Sequence, residues 1–242
     1  MTSDACGFCG ALFKPNAAFC SSCGQRRIIL DEPSELRFVI KFYITMLAVM
    51  LPALIYVLHL DGDAFTTDLL ASGGLLLVIF GFALARRPLW VPLYTTSGFG
   101  PLGFLIVLLA APLVLGLVLG YVHGLSNAFG IHAPDELATF RDRNVLWMVC
   151  MIAVLPPLME ELAFRGVIYT GLRKTLGVAE SFIISSFAFA LLHMSLPALI
   201  THLPLGLYFC YLRYRSQSLW PAMFAHFLHN LGVIIVDIKG WA

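Results

Sequence analysis

"PPLMEELAFRG", residues 156–166, sets two adjacent glutamates and an arginine inside a run that otherwise reads as membrane. The surrounding chain has 242 residues, 60% of them hydrophobic and 12% charged, with a mean hydropathy of +0.87. That composition predicts an all-α polytopic membrane protein rather than a soluble domain. A charge at the centre of a transmembrane helix costs about 2.5–3.5 kcal/mol on insertion scales. Glu160, Glu161 and Arg165 therefore demand a structural or chemical reason. The net charge of +1 offers no footprint for nucleic acid, which is not expected as a partner.

Outward from this stretch, apolar runs long enough to cross about 30 Å of hydrocarbon recur along the chain. They predict helices over 37–58, 69–85, 102–122, 145–172, 179–195, 198–213 and 219–238, about seven transmembrane helices in a membrane domain of 37–242. Lys14, Arg26, Arg27, Arg37, Lys41, Arg86, Arg87, Arg173, Lys174, Arg213 and Arg215 then fall on one side, and only Arg141, Arg143 and Lys239 on the other. By the positive-inside rule the N-terminus is cytoplasmic and the C-terminus lies outside. The 123–144 loop, with "HAPDELATFRDRN", reads as a surface-lying helix. Trp90, Tyr94, Trp147, Trp220 and Trp241 lie near the span ends as interfacial anchors.

The N-terminus differs in kind. Met1–Cys23 has no apolar core and is not read as a signal peptide. Cys6, Cys9, Cys20 and Cys23 form two CxxC pairs, each followed by glycine. That pattern presents four thiolates to one tetrahedral zinc, and two disulfides are the weaker alternative. A zinc ribbon over 1–27 is expected, with a polar linker over 28–36. So short a module cannot bury a real core, so structural zinc would supply its folding energy. Reduced thiolates agree with a cytoplasmic location. Cys150 and Cys210 lie in apolar runs and read as packing residues.

Helical geometry divides the charges at 156–166. Glu161 and Arg165 are four apart and share a face, as a charge-assisted pair would. Glu160 lies about 140° round the helix from Arg165, a carboxylate turned toward a cavity. Pro156 and Pro157 remove two backbone donors just before the glutamates and would open the helix to water. Two later helices also carry polar residues at helical spacing: Phe189 and His193 in "FAFALLHM", and His226 and Asn230 in "FAHFLHNLG", with His229 between. A buried ion network is the bland alternative. Three helices that each hold polar groups in apolar sequence favour a site, because unsatisfied polar groups in hydrocarbon are costly. His202, beside Pro204, carries a smaller weight as a cavity-lining residue. His59, His123 and His132 read as solvated.

The order and spacing of Glu160-Glu161-x-x-x-Arg165, Phe189-x-x-x-His193 and His226-x-x-x-Asn230 resemble the CPBP family, the CAAX proteases and bacteriocin-processing enzymes also called Abi or Rce1-like. The resemblance covers about 145–238, the catalytic core. It implies an intramembrane endopeptidase acting on membrane-associated or lipidated protein substrates. The resemblance assigns catalytic roles to Glu160, Glu161, Arg165, His193, His226 and Asn230. The three motifs hold no Ser, Cys or Thr, which disfavours a covalent route. Glu160 is then the general base, His193 holds the water, and His226 with Asn230 stabilises the oxyanion. A zinc-dependent version with Glu160, His193 and His226 as ligands is the competing mechanism. The metal-free route is favoured, since HExxH spacing is absent and an asparagine suits an oxyanion better than zinc.

Two other functions fit part of the pattern: a non-catalytic scaffold or immunity factor of the same fold, and a transporter with the glutamates as proton relay. The ribbon is expected to dock a protein partner or substrate. By analogy, the ribbon and compact length suggest a prokaryotic cytoplasmic membrane protein.

Overall fold

The computed structural model describes residues 6, 9–14, 20–22, 32–59, 63–95, 98–130, 137 and 144–240. Helix α1 spans Glu32–His59 and α2 spans Ala64–Ala85. A short α3, Arg87–Trp90, runs into a single 3-10 turn at Val91–Leu93. Helix α4 spans Gly100–Phe129. The next rod is compound: α5 Val145–Met148, a π-helical turn Val149–Val154, α6 Leu155–Glu161, a second π-helical turn Leu162–Ile168, and α7 Tyr169–Leu172. Helices α8 Val178–Leu192, α9 Leu196–Ser216 and α10 Trp220–Lys239 complete the bundle.

All seven expected segments are helical. Five of them, Ser34–Val57, Phe65–Ala85, Gly100–Phe129, Val145–Leu172 and Trp220–Lys239, are long and apolar enough to cross a membrane. Helix α8 is apolar but has 15 residues, about 22 Å at 1.5 Å per residue and short of a full span. Helix α9 is longer but carries Thr201, His202, Arg213 and Arg215. These two pack together as a hairpin, and Gly206 permits the contact: a Cβ there would lie 3.0 Å from the Ser186 Cβ.

Local chemistry sets the ends. The Asp63 carboxylate accepts from the Thr66 N–H at 2.7 Å to start α2, and Asn144 Oδ1 accepts from the Leu146 N–H at 2.8 Å to start α5. Gly130 closes α4 in the left-handed region, φ 65°. The expected surface helix of 123–144 begins inside α4, which continues to Phe129, and its residues 131–136 and 138–143 lie outside the described residues. Cys23, Arg26, Arg27, residues 28–31 and Trp241 also lie outside the described residues, whereas 32–36, read from sequence as linker, form the start of α1.

Where α1, α2 and the turn after α7 meet, Glu35 is buried between Arg86 Nε at 3.4 Å and Lys174 Nζ at 3.6 Å. Burial lowers the pKa of Lys174, and the Glu35 carboxylate opposes that shift. The main core runs through Phe42, Met46, Ile79, Phe164, Ile168, Phe189 and Phe209. It joins α1, α2, α8 and α9 around the second π turn. Tyr43 donates to the Ala188 carbonyl at 3.0 Å, and Ser185 to the Phe164 carbonyl at 3.0 Å. α8 is thereby pinned to both neighbours.

At the N-terminal end, Gly10 adopts φ 75° and its N–H donates to the Cys6 carbonyl at 2.9 Å. That is the tight knuckle the CxxCG pattern predicts. Cys6, Cys9 and Cys20 bring their sulfurs within 4.8 Å of one another, with Cys9 and Cys20 at 3.6 Å. Two thiolates on one zinc at 2.3 Å lie about 3.8 Å apart in tetrahedral geometry, so these three residues are close enough to bind a metal.

Candidate active site

Pro156 and Pro157 set the local backbone. Neither donates a hydrogen bond, and the ladder before them has slipped: the Leu155 N–H bonds the Cys150 carbonyl, five residues back. A second π turn follows the glutamates, where the Tyr169 N–H reaches the Phe164 carbonyl. The helix is thus loosened on both sides of Glu160 and Glu161, and π turns of this kind occur often at functional sites.

Glu161 and Arg165 are both fully buried, and Arg165 Nη1 donates to Glu161 Oε1 at 3.0 Å. Arg165 Nη2 donates to the Gly206 carbonyl of α9 at 2.9 Å. The guanidinium also lies 4.6 Å from the Phe189 ring centroid and 5.4 Å from that of Phe209, a cation–π setting that helps offset its desolvation. The expected pair is present, and it binds three elements rather than one helix face.

The same Glu161 oxygen receives His226 Nδ1 at 3.0 Å. A carboxylate can only accept, so Nδ1 carries the proton and the opposite ring nitrogen is turned elsewhere. That nitrogen, Nε2, lies 3.8 Å from Glu160 Oε2. The Glu160 side chain is 17% exposed while that of Glu161 is 0%. His226 therefore bridges the two carboxylates. One holds the imidazole and the other shares its open edge. Phe209 stacks on the His226 ring at 4.7 Å and 18°, fixing the plane of the imidazole.

His193 caps the end of α8, just before Met194 turns to φ 51°, the left-handed region that non-glycine residues rarely enter. Its ring lies 5.4 Å from Phe189, which is itself 5.9 Å from His226. Phe189 thus spaces two of the motif histidines. His202 packs on His193 with centroids 3.9 Å apart, and its Nδ1 donates to the Ala198 carbonyl at 2.9 Å. Sequence reading gave His202 little weight. Its only sequence signal is a polar ring two residues before Pro204. The Asn230 amide donates to the Ile152 carbonyl at 2.8 Å.

Among the described residues, Cys6, Cys9 and Cys20 are the group whose donor atoms gather tightly enough for a metal. The donor atoms of Glu160, His193 and His226 do not gather within that spacing.

The comparisons with known proteins fall on this same region. Residues 142–232 match the family model described as Type II CAAX prenyl endopeptidase Rce1-like. A Bacillus subtilis (strain 168) protein named "Putative membrane peptidase YdiL" is 28% identical over 92 residues, 38% of this chain and 38% of that protein. The similarity thus spans about two fifths of the length of the relative. No solved structure matches the chain.

Proposed function

We propose, from the match of residues 142–232 to the Rce1-like family model, that this chain is an intramembrane endopeptidase in which Glu160 activates the hydrolytic water. The observation that carries this reading is the His226 bridge, with Nδ1 on Glu161 at 3.0 Å and Nε2 3.8 Å from Glu160. An imidazole held by one carboxylate and open to another is the arrangement that general acid–base chemistry uses.

In this mechanism a water beside Glu160 loses its proton to the carboxylate and attacks the scissile carbonyl carbon. His193 steadies that water from the end of α8. The developing oxyanion is stabilised at the Nε2 edge of His226, which donates once the ring has taken up a proton there, and Glu161 and Phe209 maintain the ring's orientation. Glu160 then returns the proton to the leaving amine, and no covalent enzyme intermediate forms. Arg165 holds Glu161 in place through the 3.0 Å contact from Nη1. In this mechanism the oxyanion is assigned to His226, while one N–H of the Asn230 amide is engaged with the Ile152 carbonyl.

The substrates are peptide segments of membrane-associated or lipidated proteins, reached from the bilayer. A structural zinc held by Cys6, Cys9, Cys20 and Cys23 would order the N-terminal module, which we assign to docking a protein partner or substrate. An N-terminus in the cytoplasm is the orientation supported by basic residue placement.

The test compares membrane peptides from cells carrying wild type and Glu160→Gln, followed by cleavage of the accumulated substrate in liposomes. Substrate cut by wild type and spared by Glu160→Gln supports the reading. Equal cleavage by both sinks it, and no cleavage by either points to the scaffold alternative.

A further inference from the structure

The backbone of the compound rod holds an acceptor that its own helix cannot serve. In an α-helix the Ile152 carbonyl would receive the N–H of residue 156, and in a π-helix that of residue 157. Both residues are proline and neither has an N–H. The Ile152 carbonyl is therefore orphaned in either register. Asn230 Nδ2, 78 residues away in sequence, donates to this same oxygen at 2.8 Å.

We infer that Asn230 is a positioning residue, a surrogate backbone donor that latches α10 onto the turn opened by Pro156 and Pro157. The inference deepens the protease reading, on which its activity arm rests. His226 sits one turn earlier on α10 and makes the second tie, to Glu161. With both ties in place, α10 cannot slide or rotate relative to the helix that bears Glu160. Asparagine suits the role because its amide donates without charge. An alanine or leucine supplies no donor, and an ionised aspartate would set a second acceptor against the carbonyl. The arrangement also ties the two motifs to each other. The paired prolines need an external donor, and that donor fixes the spacing between His226 and Glu160.

Four full-length proteins test this: wild type, Asn230→Ala, the Pro156→Ala/Pro157→Ala double variant, and the three substitutions combined. Alanine at 156 or 157 restores a backbone N–H for Ile152 in one register or the other. Thermal unfolding in detergent and the kcat and KM of cleavage are read for each. The latch predicts that Asn230→Ala lowers kcat about tenfold in the native background with KM little changed, and lowers Tm with it. In the alanine background the same substitution costs less than about threefold in kcat and leaves Tm nearly unmoved. Equal losses in both backgrounds overturn the latch and assign the amide to the reaction itself. If Asn230→Ala fails to fold natively yet folds in the alanine background, that rescue supports the latch. Failure in both overturns it. The Tm cycle needs no cleavage, so coupled Tm values with inactive protein would refute the protease reading while leaving the latch standing.

Discussion

Helix α4 and the compound rod Val145–Leu172 each carry proline within an apolar run, yet only one of them breaks. Pro112 sits inside a continuous 30-residue α-helix. It removes the α-register donor for the Leu108 carbonyl, but Leu113 still has an N–H one residue further on. At 156–157 both successive donors are missing, and the helix carries π turns on either side. Burial differs as well: 6% of the apolar window of α4 is buried against 28% of the rod. A helix facing lipid can absorb one proline as a local defect. A helix surrounded by α8, α9 and α10 can be opened further, because Asn230 and Gly206 meet the polar groups involved. The difference teaches that proline number and available partners, rather than proline itself, decide where the membrane helix becomes a site.

The contrast can be broken most severely at Arg165. Replacing it with leucine leaves Glu161 buried without its cation, a loss of about 3–5 kcal/mol. We expect little folded protein by size exclusion in detergent. Leu109→Ala on the exposed face of α4 should leave Tm within about a degree, and a comparable loss there would mean that α4 is not a lipid-facing helix. Next comes Pro156→Ala/Pro157→Ala, which should straighten the rod and lower kcat/KM about tenfold. Pro112→Ala should leave kcat/KM unchanged, and unaltered cleavage by the first variant would show that the opening is dispensable. Metal removal is expected to act elsewhere. A strong chelator should release zinc from the cysteine module, read by a colorimetric zinc dye, without halting cleavage. Loss of cleavage that survives deletion of residues 1–30 would restore the zinc-dependent mechanism. The smallest effect belongs to Glu35→Gln, which weakens the contacts to Arg86 and Lys174 and should lower Tm by about 2–4 °C.

Much of this was legible in the sequence. Length and hydropathy located all seven helical segments, because a bilayer forces backbone polar groups into helices. The i, i+4 spacing also identified the Glu161–Arg165 pair. What it did not disclose are contacts between helices. Glu161 meets His226 and Arg165 meets Gly206 through packing that no local periodicity encodes. His202 was underweighted because its partner His193 lies on another helix. The bond from Asn230 to Ile152 was not legible either, since it depends on which carbonyl the prolines orphan and on how α10 is seated. The α8–α9 hairpin also reads as two spans from apolarity alone, although α8, with 15 residues, is shorter than a full span.

The central claim is that adjacent carboxylates divide the work, Glu161 holding the site and Glu160 running the reaction. The most direct measurement is kcat/KM and Tm of Glu160→Gln beside wild type in the same liposome cleavage assay. The account predicts a fall of about 10³-fold in kcat/KM, with Tm essentially unchanged. Cleavage within a few-fold of wild type, or a loss matched by collapse of Tm, would contradict it.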